Sequence, residues 1–84
     1  MIEAKQIESE IIDFLQREVF SPEVSLSPDS NLINEGFDSM SLVRLMLHVE
    51  STYGLWIPEG EITSETLESV RNLSAVIHRN LNGG

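Results

Sequence analysis

The stretch Gly36-Phe37-Asp38-Ser39-Met40 lies where a polar loop ends and an apolar-striped segment begins. Residues 40–52 contain neither Gly nor Pro. Apolar side chains in and just after this run recur at spacings of three and four, which is typical of the buried face of an amphipathic helix. That face is expected to comprise Leu42, Leu45, Met46, Val49 and Tyr53. The pattern predicts a helix over residues 39–53, ended by Gly54.

Ser39 stands at the start of this predicted helix, where we expect it to be the N-cap. A cap serine places its hydroxyl beside backbone N–H groups that have no partner inside the helix, at the positive end of the helix dipole. A phosphate ester on that hydroxyl would be stabilised. Asp38 precedes it, and Gly36 can adopt backbone angles that other residues resist. The junction is therefore a candidate site for a phosphate-linked group.

The same junction resembles the attachment motif of acyl carrier proteins and the related peptidyl carrier domains. In that family, the serine of an Asp-Ser-Leu core carries a 4′-phosphopantetheine arm through a phosphodiester. Ser39 matches that serine, Asp38 matches the acid before it, and Met40 takes the place of the usual leucine. The resemblance covers about residues 7–81 and includes an Ile-Pro pair after the helix, here Ile57-Pro58.

The composition predicts one small acidic domain over residues 1–84. Fourteen acidic residues against five Lys and Arg give a formal net charge of −9, which argues against binding to nucleic acid or to anionic membranes. The chain has no cysteine, so any thiol chemistry would need a prosthetic group. The sequence shows neither a secretory signal pattern nor a run long enough to span a membrane. We expect a cytoplasmic monomer.

The rest of the chain predicts a helical bundle. A first helix from about Ile2 to Glu18 is expected to bury Ile7, Ile11, Phe14 and Leu15. Residues 19–38 contain Pro, Gly, Ser and Asn, which predicts a long loop that spaced apolar residues pin across the helix ends. We therefore predict an all-α four-helix bundle with three longer helices, one short helix and a long loop between the first two helices.

The short helix and the last helix are predicted from the second half of the sequence. Residues 62–67 favour a short helix capped by Thr63 or Ser64. Ser69 is expected to cap the last helix, whose buried stripe is Val70, Leu73, Val76, Ile77 and Leu81. In the segment that joins the second helix to the short helix, Ile57 is expected in the core and Trp56 is expected to be partly buried. Candidates for a cargo pocket are Met46, Ile57, Leu67 and Val70, although simple core packing is the favoured explanation for each of them.

Met40, Val43 and Leu47 fall outside the buried stripe of the second helix and form, with Arg44, a candidate docking patch beside Ser39. The alternative interpretation is that this helix is buried over more of its circumference. The resemblance implies docking, because the corresponding positions of carrier proteins contact partners. Carriers of bacterial fatty acid synthesis usually have several acids on this helix, whereas this one has only Glu50. The helix is therefore more similar to that of peptidyl-type or specialised carriers.

The resemblance implies a carrier and not an enzyme. A phosphopantetheinyl transferase would use coenzyme A and magnesium to esterify Ser39, with Asp38 aiding recognition. The further partners implied are a ligase that loads acyl or aminoacyl groups as thioesters and the synthase or transferase enzymes downstream. No catalytic residue and no protein-bound metal are predicted. A specialised pathway of the polyketide or nonribosomal-peptide kind is favoured over housekeeping fatty acid synthesis, and the resemblance does not identify the cargo.

Two alternatives belong to other classes of protein. The first is a small acidic helical interaction domain that is never modified, in which Ser39 is only a helix cap. The second is a serine hydrolase, which the sequence disfavours. His48 would lie roughly 13 Å from Ser39 along a straight helix, and no Gly-x-Ser-x-Gly motif surrounds the serine.

Overall fold

The computed structural model describes residues 2–83 and contains three α-helices: α1 (Ala4–Glu18), α2 (Ser39–Tyr53) and α3 (Val70–Leu81). Two single 3₁₀ turns, Glu59–Glu61 and Thr66–Glu68, lie between α2 and α3. No strand occurs in the part of the chain that the structure describes. The prediction of an all-α fold is therefore confirmed.

The second 3₁₀ turn lies where the sequence predicts a short fourth helix. Its N-cap is Glu65, which makes no capping hydrogen bond through its side chain, so the prediction of Thr63 or Ser64 as the cap is wrong. Thr63 Oγ1 does accept a hydrogen bond from the Thr66 backbone N–H at 3.2 Å. Thr66 Oγ1, however, donates to the Glu61 carbonyl at 2.9 Å. Hydroxyl side chains that bind the local backbone in this way compete with helical hydrogen bonds. This competition explains why only one turn forms here.

Helices α1 and α3 pack closely against each other and supply much of the core. α1 begins two residues later than predicted because the extended Glu3 is its N-cap and forms a capping box with Gln6. Ser69 caps α3, as predicted, by accepting from the Asn72 N–H at 3.0 Å. The predicted apolar stripes of α1 and α3 are buried except for Leu81, which is half-buried. Ser74 lies fully buried among them, and its hydroxyl has no hydrogen-bond partner.

Residues 19–38 connect α1 to α2 through a series of turns. Leu26, Leu32 and Phe37 from this connection are buried in the core. Its backbone is also fixed at two points near the start of α3. The Leu32 N–H donates to the Leu67 carbonyl at 3.0 Å, and the Arg71 N–H donates to the Pro28 carbonyl at 2.9 Å. These contacts hold the connection in place immediately before α2.

Helix α2 buries Leu45, Met46 and Val49, with Leu42 and Tyr53 half-buried against the core. It ends, as predicted, at Gly54, whose φ of 67° and ψ of 29° are left-handed. Ile57 follows in the core, with 1% of its surface exposed. Within residues 2–83, none of the helices combines the length and the apolar character needed to cross a membrane.

Candidate functional site

The N-terminus of α2 is capped by Asp38. Its backbone is extended, with φ −121° and ψ −171°, and its carboxylate accepts hydrogen bonds from the Ser41 N–H at 2.9 Å and the Ser41 hydroxyl at 3.0 Å. The prediction that Ser39 is the N-cap is therefore wrong by one position. Asp and Ser are almost equally good caps, and here the carboxylate accepts two bonds from one residue. Ser39 becomes the first residue of the helix.

The same hydrogen bonds determine the charge of Asp38. The Ser41 N–H, followed by the Ser41 hydroxyl, lowers the pKa of the Asp38 carboxyl below its ordinary value. Asp38 is therefore negatively charged at neutral pH. Because it is exposed, this charge faces solvent immediately before Ser39.

The Ser39 side chain is exposed and takes no part in the cap, which Asp38 and Ser41 form between them. The Ser39 and Met40 amides lie in the first turn of α2, where backbone N–H groups have no carbonyl one turn earlier. Gly36 makes the turn before the helix with a φ of 103°, and no atom beyond its two chain neighbours lies within 4 Å of the position that a Cβ would occupy there. An exposed hydroxyl at the positive end of a fifteen-residue helix fits a phosphodiester.

The candidate docking patch follows on the outer face of α2. Met40, Val43 and Leu47 have 67%, 51% and 54% of their surfaces exposed. Arg44 lies among them, and one of its guanidinium nitrogens is 3.8 Å from a carboxylate oxygen of Glu18 on α1. The structure therefore places four residues that the sequence singled out on one exposed face that begins beside Ser39.

The residues considered for a cargo pocket belong mainly to the core. Met46, Ile57 and Val70 are buried, and Leu67 is half-buried against them. A shallow open groove of about 270 Å³ lies elsewhere, between the Thr66–Glu68 turn and α3, lined by Glu65, Thr66, Asn72, Ala75, Val76 and Arg79. Residues 2–83 contain no cluster of three His, Asp or Glu side chains that could hold a metal ion.

Trp56 is more exposed than predicted, with 54% of its surface accessible. Exposure alternates along the segment after Gly54, with Leu55 half-buried, Trp56 exposed and Ile57 buried, as successive side chains of an extended segment would be. Because Ile57 points into the core, Trp56 points outward. Alternation around Ile57 is the sequence signal that would have predicted this.

His48 is half-buried and packs against α1. Its imidazole stacks on the Phe14 ring, with 4.0 Å between ring centroids and 13° between planes, and its Nε2 contacts a carboxylate oxygen of Glu10.

Comparison with known proteins identifies the family. The model described as the phosphopantetheine attachment site matches residues 5–77. Aminoacyl carrier protein 2 of Bradyrhizobium diazoefficiens is 39% identical over 70 residues, which cover 83% of this chain and 76% of the relative. Aminoacyl carrier protein 1 of that bacterium is 38% identical over 52 residues, which cover 62% of this chain and 58% of the relative. The search of solved structures gives no match.

Proteins of this family are not enzymes, and they hold intermediates on covalently attached 4′-phosphopantetheine. They work with the enzymes that modify them and with synthases. With a match over residues 5–77, this chain belongs to the phosphopantetheine-attachment family of carrier proteins.

Proposed function

We propose that this chain is a single-domain acyl or aminoacyl carrier protein whose 4′-phosphopantetheine is attached to Ser39. The observation that carries the proposal is the exposed Ser39 hydroxyl at the first residue of α2, directly after the capping Asp38. Both relatives described above are named aminoacyl carrier proteins, which supports an aminoacyl cargo.

The residues around Ser39 have separate roles in this proposal. Ser39 supplies the nucleophilic oxygen that a phosphopantetheinyl transferase esterifies with coenzyme A and magnesium. The N-terminus of α2 stabilises the resulting phosphodiester charge. Asp38 fixes the first turn of the helix through Ser41 and presents a carboxylate to the transferase. When attached, the group supplies a thiol that holds the cargo as a thioester, and tethering raises the effective concentration of that cargo at a docked enzyme.

The intact mass of the protein tests the attachment site. Wild type, Ser39→Ala and Ser51→Ala would be incubated with coenzyme A, magnesium and a broad-specificity phosphopantetheinyl transferase. We expect one added phosphopantetheine on the wild type and on Ser51→Ala, an exposed serine of the same helix, and none on Ser39→Ala. No addition to any variant, while a known carrier is modified in parallel, would favour the unmodified interaction domain.

We further propose that Met40, Val43, Arg44 and Leu47 form the surface on which partner enzymes dock. Exposed apolar side chains of this size in one connected patch are typical of interaction sites. Val43→Asp places a charge at the centre of the patch, so we expect kcat/KM for phosphopantetheine transfer to fall by about tenfold or more. Ala75→Asp makes the same change of charge on an exposed position of α3 and serves as the control. Equal kinetics for the two variants would refute the docking role.

We assign the carrier to a specialised pathway in the cytoplasm and not to housekeeping fatty acid synthesis. Helix α2 contains one acid, Glu50, and one base, Arg44, so its formal charge is zero. Its docking face therefore suits apolar grooves better than strongly basic ones. Loading assays with a panel of amino-acid-activating ligases and with fatty acid synthase enzymes would test this assignment. Efficient loading by the fatty acid enzymes alone would contradict it.

A further inference from the structure

The helical path of the chain is interrupted at Ser69, between the Thr66–Glu68 turn and α3. Ser69 has an extended backbone, with φ −158° and ψ 156°, although the residues on both sides of it are helical. If residues 66–81 formed one α-helix, the Leu67 carbonyl would accept a hydrogen bond from the Arg71 N–H, four residues later. In the structure both of these backbone groups have other partners.

The partners of both groups lie in the connection between α1 and α2. The Leu67 carbonyl accepts from the Leu32 N–H at 3.0 Å, and the Arg71 N–H donates to the Pro28 carbonyl at 2.9 Å. The Arg71 guanidinium also contacts the carboxylate of Asp29, which follows Pro28. Residues 28–32 therefore bind in the break at Ser69. They use an acceptor and a donor that a continuous helix would pair with each other.

Two side chains stabilise the break. Ser69 Oγ accepts from the Asn72 N–H at 3.0 Å, which caps α3 and keeps Ser69 outside the helix. The Asn72 side-chain amide donates to the Glu65 carbonyl at 3.1 Å. In a continuous helix, that carbonyl would accept from the Ser69 N–H instead. The helix ends on both sides of the break thus have hydrogen-bond partners without being joined.

The residues that bind in the break lead directly to Ser39. Leu32 is fully buried, and its carbonyl accepts from the Phe37 N–H at 2.9 Å. Phe37 is also buried and stands two residues before Ser39. Hydrogen bonds therefore connect Leu67 to Leu32 and Leu32 to Phe37. Loss of the first of these bonds would loosen the chain immediately before α2.

We propose that Ser69 is a positioning residue: it keeps the Thr66–Glu68 turn and α3 apart, so that residues 28–32 bind between them and place Ser39 for modification. Without the Ser69 cap, the turn and α3 join. The Leu67 carbonyl then pairs with the Arg71 N–H, and the Leu32 N–H loses its partner. The effect on Ser39 rests on the function proposed above, whereas the effect on the break does not.

Amide hydrogen exchange measured by NMR tests this change of partners. Ser69→Ala removes the cap oxygen and places a strong helix former in the break, so we expect the Leu32 amide to exchange about fivefold faster or more than in the wild type. The Arg71 amide should stay protected, because it gains the Leu67 carbonyl when it loses that of Pro28. Ser69→Asn retains a cap oxygen and adds no charge, so it should keep the wild-type rates.

These rates are compared with that of the Ile11 amide in the middle of α1, which reports global unfolding. Equal exchange of the Leu32 amide in the wild type and Ser69→Ala would overturn the proposal. A matched rise at Leu32 and Arg71 would also overturn it, because residues 28–32 would then leave without a new helical bond. If Ser69→Ala does not fold, Asn72→Ala, which removes the second side chain at the break, must show the same difference between the two amides for the proposal to stand.

Phosphopantetheine transfer tests the positioning role. The double variant Ser69→Ala/Asn72→Ala removes both side chains that stabilise the break, and Ser51→Ala is the control on the exposed face of α2. We expect kcat/KM of the double variant to fall severalfold through a higher KM, because the transferase binds the fraction of molecules in which residues 28–32 stay in the break. Ser51→Ala should match the wild type.

Two outcomes of the transfer assay separate this proposal from the proposed attachment. Unchanged kcat/KM in a double variant whose Leu32 amide has lost its protection would refute the positioning role of Ser69. If Ser39 is modified in no protein, the wild type included, the proposed attachment fails. Hydrogen exchange still decides in that case whether Ser69 keeps the break open.

Discussion

Asp38 and Ser39 are adjacent and both exposed, but the structure gives them different environments. The Asp38 carboxylate is bound by the Ser41 N–H and the Ser41 hydroxyl, so it is held in one place. The Ser39 hydroxyl has no part in that arrangement. Asp38 thus caps α2, while the Ser39 hydroxyl next to it stays exposed and takes no part in the cap. A site of covalent modification requires such an accessible hydroxyl.

Replacing Asp38 should show this difference directly. Because hydrogen bonds from Ser41 lower the pKa of the Asp38 carboxyl, its contribution to stability is present above the pKa of the unfolded chain and is lost as pH falls through the lower folded value. We expect Asp38→Ala to lower the thermal midpoint at neutral pH and Asp38→Asn to lower it less. Between pH 5 and 3, in rough terms, the wild type should lose more stability than Asp38→Asn. Parallel acid melts would contradict the assignment of Asp38 as the cap.

Ser74 offers a test in which the substitution is expected to stabilise the protein. Its buried hydroxyl has no partner, and an unsatisfied buried polar group costs free energy. We expect Ser74→Ala to raise the free energy of unfolding by about 1 kcal/mol, including the gain in helix propensity. Ser51→Ala, at an exposed position of α2, measures the gain in helix propensity alone. Chemical denaturation should therefore give a larger increase in the free energy of unfolding for Ser74→Ala than for Ser51→Ala. A loss of stability at position 74 would mean that the hydroxyl has a partner.

At the scale of the element, apolar spacing and capping chemistry made most of the fold predictable. The bounds of α2, the left-handed Gly54 and the Ser69 cap all follow from local rules that neighbouring residues do not override. The Asp38 cap could not be predicted to the residue, because two good capping residues stand side by side. The turn at Thr66–Glu68 depends on Thr66 binding the Glu61 carbonyl, a contact that periodicity does not reveal.

Substituting Gly54 tests whether a left-handed glycine is needed at the end of α2. Its φ of 67° is one that L side chains rarely adopt, so Gly54→Ala should cost about 1 kcal/mol in the free energy of unfolding. Gly60 lies outside the left-handed region and has open space around its Cα, so Gly60→Ala should change stability little. Urea titration of both variants measures the difference. Equal costs would mean that the end of α2 can shift to relieve the strain.

The residues of the candidate site were proposed from the sequence, whereas their tertiary contacts could not be predicted from it. Ser39, Asp38 and the patch followed from a short motif and a helical wheel. The contacts of His48 with Glu10 and Phe14 join residues that are 38 and 34 positions apart in the sequence, and only the tertiary fold brings them together. Attachment at Ser39 and docking on the patch remain predictions for the experiments described above.

At the scale of the whole molecule, the charge of −9 is carried outside α2, whose own formal charge is zero. Acids on the rest of the surface repel one another, while the face next to Ser39 stays apolar. This arrangement keeps the acidic protein apart from nucleic acid and other acidic surfaces without placing charge where partners are proposed to dock.

Salt should therefore stabilise the protein. Raising sodium chloride from about 20 to about 300 mM shortens the screening length and weakens the repulsion between acids, so the thermal midpoint should rise. The double variant Glu59→Lys/Glu68→Lys changes two exposed acids, and its net charge is −9 + 4 = −5. Its midpoint should rise less over the same range. Identical salt responses would show that the overall charge does not limit stability.

The two backbone hydrogen bonds that fix residues 28–32 beside the start of α3 also determine where the chain can be cut or lengthened. Both anchors lie after the turn at residues 21–24, whose first three residues are exposed, and α1 is the one helix before that turn within residues 2–83. A nick there would leave a first fragment that still packs on α3 and a second that keeps Leu32, Phe37 and Ser39 in place. This turn is therefore the natural position for an inserted tag or reporter in a carrier whose modification is to be followed.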